Sequence, residues 1–381
     1  MIYLDNAATA FPKPAAVLSQ MIQQYARFGG SPGRGGYDLA VQAGDLVDQV
    51  REKIARFFKA PESRHVVFAN NATDALNLAV QGILKPGDHA VSTRLEHNSV
   101  LRQLWHLKDQ GRIEYDLAPF HQGGFVDPDE LAALIRPNTR LVIVNHASNV
   151  LGSIQPLAEI GRVCAERQVP LLVDSAQSAG HITMDMASWR ASAVAFTGHK
   201  ALMGPSGIGG LVIAPNLEIG ITRFGGTGVD SRSLQHTSSY PHRLEAGTLN
   251  ILGIMGLSAG LDLLSQEGVE NIRQRELLLA RRLWDGLAGL KNIALYGVPP
   301  SDRHVPVIAC NVEGKAPLDV GDILDGDFDI AVRTGLHCAP LVHMDIGTGD
   351  IGAVRFSIGC HNTVNEIDEA VKAMTRITDR G

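Results

Sequence analysis

The sequence predicts an α/β protein with a large domain, whose mostly parallel sheet lies between helices, and a smaller α/β domain at the C-terminal end. Two observations carry that expectation. Short apolar runs alternate with one-sided helical stretches over the first two thirds of the chain, the pattern of βαβ units. Residues with chemical capacity fall just after those apolar runs, where open α/β sheets build their ligand sites.

Leu39 to Phe58 carries apolar residues at 43, 46, 47, 50, 54, 57 and 58, a helix with one buried face. Val66 to Ala69 reads as a strand, Asp74 to Leu84 as a helix stopped by Lys85-Pro86-Gly87-Asp88, His89 to Thr93 as a strand and Ser99 to Asp109 as a helix. Leu141 to Asn145 is a strand, Pro156 to Arg167 a helix, and Pro170 to Val173 a short buried strand leading into Asp174. The pattern changes near residue 250. Val269 to Leu290 is a long amphipathic helix and Val305 to Val312 a strand. Thr363-Val364-Asn365-Glu366 fits a capping box opening a helix through Ile367, Val371, Met374 and Ile377. The expected division is an N-terminal arm (1–20) packed with the small domain, a large domain (21–254) and a small domain (255–381).

With 381 residues, 45% hydrophobic and 19% charged, the chain can bury a full core. A net charge of -6 argues against a nucleic-acid partner. The four cysteines, at 164, 310, 338 and 360, have no CxxC or zinc-like spacing, so no metal is expected and any special cysteine acts as a thiol. Cys164, Cys310 and Cys360 read as structural. The first residues, MIYLDNAATAF, lack the basic and apolar regions of a signal peptide, and the apolar run Ile251 to Leu264 is too short to span a bilayer. The expectation is a soluble cytoplasmic protein with no membrane partner.

Chemistry centres on Lys200, set between the apolar run Ala193 to Phe196 and a turn-rich segment with Gly204, Pro205, Gly207, Gly209 and Gly210. Such a lysine either reaches solvent or holds its amine in a dry pocket for chemistry. Asp174, at a strand end, supplies the carboxylate that a pyridoxal phosphate (PLP) ring nitrogen requires, beside an amine able to form its Schiff base. Asn71-Ala72-Thr73 precedes a helix and is either an anion-binding turn or a plain cap. His97 offers a ring that could lie over a planar cofactor, and Asn149 and Gln177 offer amide groups at further strand ends, each also readable as an ordinary turn or cap residue.

In order, the anion-binding turn, His97, Asn149, Asp174-x-x-Gln177 and Thr197-x-His199-Lys200 resemble the class V aminotransferase group of fold-type I PLP enzymes, most closely the cysteine desulfurase and selenocysteine lyase family. The likeness runs from Leu4-Asp5-Asn6-Ala7-Ala8-Thr9 through Arg355 to Asn362-Thr363. It implies a seven-stranded sheet and PLP bound to Lys200, which also moves the substrate proton. It further implies Asp174 at the ring nitrogen, His97 stacked on the ring, and Gln177 and Asn149 at its oxygen and the substrate. Thr73, the Ala72 amide, Thr197 and His199 would hold the phosphate, and Gly247-Thr248 would reach the phosphate of the neighbouring subunit in a homodimer.

Arg333-Thr334-Gly335-Leu336-His337-Cys338 resembles the active-cysteine loop of the second group of cysteine desulfurases, which implies that Cys338 receives sulfur from L-cysteine as a persulfide. Without the resemblance, Cys338 reads equally as a small buried residue and Arg355 as a surface ion-pair partner. With it, Arg355 clamps the substrate carboxylate, and Arg34 in Ser31-Pro32-Gly33-Arg34-Gly35 belongs to the substrate entrance, although the histidine often found after Arg-Gly is missing and a Gly-rich turn is the plain reading. Pro340 to Gly349 lengthens the interval between Cys338 and Arg355 relative to better-known second-group members. The implied reaction turns L-cysteine into L-alanine and passes sulfur to an acceptor protein or a low-molecular-weight thiol. The alternatives are a selenocysteine lyase, another class V aminotransferase or β-lyase that leaves Cys338 idle, and a silent sulfur-carrier scaffold.

Overall fold

Apolar strands that alternate with amphipathic helices can bury their side chains only by forming a sheet covered on both faces, and the computed structural model, which describes residues 1–32, 35–229 and 232–379, has that construction. Arg34 lies outside the described residues. The chain runs β1 (Ile2–Tyr3), α1 (Ala15–Phe28), α2 (Asp38–Phe58), β2 (Val66–Ala69), α3 (Ala72–Ile83), β3 (Asp88–Thr93), α4 (Asn98–Asp109), β4 (Ile113–Ala118), α5 (Pro128–Ala133), β5 (Thr139–Asn145), α6 (Leu157–Glu166), β6 (Leu171–Asp174), β7 (Ala193–Thr197) and β8 (Gly209–Ile213). It continues with α7 (Ile251–Glu267), α8 (Val269–Ala288), β9 (Ile293–Tyr296), β10 (Val307–Val312), α9 (Pro317–Phe328), β11 (Ile330–Ala331), β12 (Arg333–Gly335), α10 (Pro340–Asp345), β13 (Ala353–Ser357) and α11 (Val364–Asp379).

Seven strands form the main sheet in the order β2-β8-β7-β6-β5-β3-β4, with β8 antiparallel to both neighbours and the rest parallel to one another. A four-stranded antiparallel sheet, β12-β13-β10-β9, lies in the C-terminal third, and β1 pairs with β11. The N-terminal arm joins the C-terminal part of the chain: Leu4, Ile308, Phe356, Leu283 and Met374 share one apolar cluster. The expected capping box forms, with Thr363 N–H donating to Glu366 Oε2 at 2.7 Å and Glu366 N–H donating to Thr363 Oγ1 at 3.3 Å. No helix among the described residues is long and apolar enough to cross a membrane.

Several elements differ from expectation. The predicted helix at 74 begins at Ala72, because Asn71 caps it, its Oδ1 accepting the Asp74 N–H at 2.9 Å. The segment after Lys200 ends in the strand β8, whose glycines hid it. A Cβ on Gly209 would sit 2.6 Å from the Phe196 carbonyl oxygen, and one on Gly210 would sit 2.5 Å from that of Val67. Helix α1 is not among the expected elements, although Val17, Leu18, Met21, Ile22 and Tyr25 fall at helical spacing; only Val17 is buried, and Leu18, Ile22 and Tyr25 are exposed. Cys164 and Cys310 are buried, while Cys360 is half-buried in a turn.

A buried ion pair ties α2 to the edge of the main sheet. Arg51 donates through both terminal nitrogens to Glu245, at 2.8 and 2.7 Å, and Glu245 Oε1 also accepts the Phe68 N–H of β2 at 2.6 Å. Removing Glu245 strands the buried Arg51 charge and the Phe68 strand donor together. Glu245→Ala is expected to cost about 3–5 kcal/mol, seen as a lower urea midpoint with an unchanged slope; Arg51→Met/Glu245→Leu should recover part of it.

Candidate active site

Parallel strands end at the same edge of a sheet, so the residues after each strand meet those after its neighbours. Asn145 of β5 is in register with Asp174 of β6, and Asp174 with Ala195 of β7, which sets Asp174 at the centre of that edge. A cavity of about 270 Å³ opens there, and its wall contains Ala72, Thr73, His97, Asn149, Asp174, Gln177, Thr197, His199, Lys200 and Arg355. Ten residues scattered over nearly the whole sequence therefore share one wall.

The electrostatics of that wall are set by burial. Burial raises the pKa of Asp174, while the Ala176 N–H at 2.9 Å and the charge of Lys200 oppose the shift. Burial brings the Lys200 amine down to about 8, with Asp174 partly opposing and Arg355 and Arg333 adding to the depression. His97 is pushed down to about 4 by burial and by Lys200. Its Nδ1 accepts the Ser99 N–H at 3.0 Å, which leaves the proton on Nε2. Beneath them Glu96 is raised to about 8 by burial, despite accepting from the Asn145 N–H and Thr93 Oγ1. The Asp174 charge adds to the rise of Glu96, so the two carboxyls of this corner oppose each other's ionisation.

The second sheet supplies cations. Arg333 on β12 lies directly opposite Arg355 on β13, and both line the cavity. Arg355 is 1% exposed; it donates to Asp5 Oδ1 at 2.7 Å and to the Asn149 carbonyl at 3.1 Å, and its Nε has no partner. Thr197 Oγ1 and Asn149 Oδ1 are also buried without a hydrogen-bond partner. Cavity-lining atoms left in that state are places for a ligand's polar groups. Asn149 Nδ2 is engaged, donating to the His337 carbonyl at 2.6 Å, and Gln177 Nε2 donates to that of Ala7 at 3.0 Å.

Cys338 is half-buried and comes directly after the lining residue His337. Arg333 Nη2 lies 3.7 Å from its Sγ, and its carbonyl accepts the Asn98 N–H at 2.7 Å, so the loop rests on the start of α4 beside His97. The thiol belongs to the electrostatic surroundings of both Lys200 and Arg355. Thr248 instead lines a separate, smaller cavity with Ser31, Pro32, His242 and Gly247.

The aminotransferase class-V family profile matches residues 2–370. The chain belongs to that family. PLP is the cofactor of class-V aminotransferases. A probable cysteine desulfurase of Methanothermobacter thermautotrophicus is 33% identical over all of this chain and 95% of its own length, and the cysteine desulfurase of Dickeya dadantii is 36% identical over 99% of this chain and 92% of its own. Among solved structures, the apo cysteine desulfurase of Thermococcus onnurineus NA1 superposes with a TM-score of 0.94 at 32% identity, covering 100% of this chain and 95% of that one. The cysteine desulfurase CsdA of Escherichia coli, in its S-sulfonic acid form, gives 0.89 at 29% identity, covering 99% and 94%.

Sequence reasoning did not find the residues that brace this class-V site. Thr9 Oγ1 and the Ala10 N–H each donate to the His199 carbonyl at 3.0 Å, and Lys13 Nζ joins them, so the N-terminal arm fixes the peptide before Lys200. Asp5, quoted only as part of the opening motif, is the partner of Arg355.

The Lys200 amine titrates near about 8 in the fold against 10.5 when free, so between those values the unfolded chain holds the extra proton and stability rises with pH. Below that window the penalty is present in full, roughly 2–3 kcal/mol once water in the cavity is allowed for. Cofactor-free Lys200→Met is therefore expected to unfold at higher urea than cofactor-free wild type at pH 7, with the gap narrowing as pH rises through the window.

Proposed function

We propose that this chain is a cytoplasmic, PLP-dependent cysteine desulfurase that converts L-cysteine to L-alanine and delivers the sulfur, through Cys338, to an acceptor protein or a low-molecular-weight thiol. The observation that carries this reading is the meeting at one cavity of a depressed Lys200 amine, the buried Asp174 carboxylate and the Cys338 loop. When bound, PLP supplies an electron sink for negative charge at the substrate Cα.

This chain's own residues do the rest. The α3 N-terminus with Ala72 N–H and Thr73, together with the unpartnered Thr197 hydroxyl and His199, receives the phosphate. Asp174 would face the ring nitrogen, His97 would lie on the ring, and Gln177 and Asn149 would tune its oxygen and the substrate position. Lys200 would hold the cofactor covalently and, once its amine is free and uncharged, would take the proton from Cα. Two guanidiniums on paired strands, with one carboxylate between them, leave a net positive corner, and the substrate carboxylate docks there on Arg355. The Cys338 thiolate attacks the substrate sulfur; the Cβ–S bond breaks, its electron pair is taken up at Cβ with a proton, and L-cysteine plus Cys338–SH become L-alanine plus Cys338–S–SH. Arg34 is assigned to the substrate entrance, Thr248 to the neighbouring subunit's phosphate in a homodimer, and the division at 1–20, 21–254 and 255–381 to arm, cofactor domain and cysteine-loop domain.

The test is alanine and sulfide release from L-cysteine with a reductant. Cys338→Ala should keep the cofactor's yellow colour and lose desulfuration of cysteine by about 100-fold or more, the scale of losing a covalent catalyst. Equal rates in the two proteins refute the reading and turn attention to selenocysteine or another β-substituted amino acid.

A further inference from the structure

The loop before Arg355 contains a hydrogen-bond chain that no motif assigned. His337 Nε2 lies 3.3 Å from the Arg333 carbonyl oxygen, which can only accept, so His337 donates there and its Nδ1 carries a lone pair. His343 Nε2, 3.1 Å from that Nδ1, must then donate to it. His343 Nδ1 in turn accepts from Thr348 Oγ1 at 2.8 Å. Every proton in the chain is thereby fixed: Thr348 to His343, His343 to His337, His337 to the Arg333 carbonyl. The three side chains are 2%, 0% and 3% exposed in that order. Burial holds His343 near about 4 and His337 near about 2, so both rings are neutral, as the chain requires.

We propose that His343 and Thr348 are positioning residues for Cys338. They act on it from two sides. His337 and Cys338 both have left-handed backbone, φ 50° and 57°, a strained state for residues with a Cβ, and the locked His337 ring helps to hold it. The same ring binds the Arg333 carbonyl, and the Arg333 guanidinium lies 3.7 Å from Cys338 Sγ. The segment 340–349 that lengthens this loop is itself anchored, since Arg94 donates twice to Asp345, both at 2.6 Å. The longer interval is therefore a built support for the cysteine.

The kinetic side of this proposal rests on Cys338 as sulfur acceptor, while its structural side does not, and the experiment separates the two. His343→Leu, His343→Gln and Thr348→Val are compared with wild type holoenzyme by the rate of iodoacetamide alkylation at Cys338, mapped by mass spectrometry, and by kcat and KM for L-cysteine. His343→Leu should change the alkylation rate at least about fivefold and lower kcat about tenfold with KM within about twofold, the scale of a misplaced reacting group. His343→Gln, whose amide can still donate to His337, should stay within about twofold on both, and Thr348→Val should shift in the same direction as His343→Leu. Equal alkylation of His343→Leu and wild type overturns the proposal, as does His343→Gln falling as far as His343→Leu. Should His343→Leu fail to melt cooperatively, unchanged alkylation in folded Thr348→Val overturns it. If wild type does not desulfurate cysteine, the proposed function fails and the alkylation contrast still decides the positioning role.

Discussion

The rest of the structure depends on a carboxylate and an amine being held together in one narrow cavity at the edge of the main sheet. Neither Asp174 nor Lys200 is comfortable alone: burial raises the pKa of one and lowers that of the other, and each charge opposes the shift of its partner. The pairing is possible because β6 and β7 are adjacent parallel strands, whose ends are set level by the ladder. Glu96 shows how tightly the corner is constrained. Two carboxylates in one buried place cannot both ionise cheaply, and burial raises both, Glu96 to about 8.

The second sheet solves the opposite problem. Like charges directly opposite on paired strands repel, yet Arg333 and Arg355 occupy that arrangement. Asp5, brought in by the N-terminal arm, offsets one of them, and Leu4 and Ser357 join the arm to β13 through the Ser357 N–H and the Leu4 carbonyl at 2.7 Å. What remains is positive charge beside a cavity, an arrangement stable only with an anion or water close by. The strain belongs to a binding site rather than to the core.

Legibility in the sequence depends on the range of the forces involved. Strands β2, β5, β6 and β7 announce themselves because burial on both faces leaves continuous apolar runs. Strand β8 does not, since tight contacts with Phe196 and Val67 demand glycine, which reads as turn. The wall of the cavity was legible because residues just past strand ends are fixed by topology. The Asp5 partner of Arg355, 350 positions away, and the His337–His343–Thr348 chain were not, since they exist only through tertiary packing. A left-handed Cys338 could not be read either, because nothing in a cysteine's local preference favours that state.

That backbone state bears on how the Cys338 loop can sit beside the cavity and still be partly exposed. Two left-handed residues in succession cost on the order of 1–2 kcal/mol each, so the loop would relax unless other bonds outweighed them. Those bonds converge on it: Asn98 N–H holds the Cys338 carbonyl, Asn149 Nδ2 the His337 carbonyl, the Ala339 N–H reaches the Leu336 carbonyl, and the His343 chain locks the His337 ring. The Asn98 and Asn149 bonds hold the loop from neighbouring elements, while the others close it on itself. Leu336, at the tip, is 39% exposed and Cys338 beside it only half-buried. A loop fixed at its root and open at its tip keeps the sulfur atom in one place relative to Lys200 and Arg355 while leaving it a face toward solvent. The bonds to the Leu336, His337 and Cys338 carbonyls and to the His337 ring offset the cost of the strained backbone.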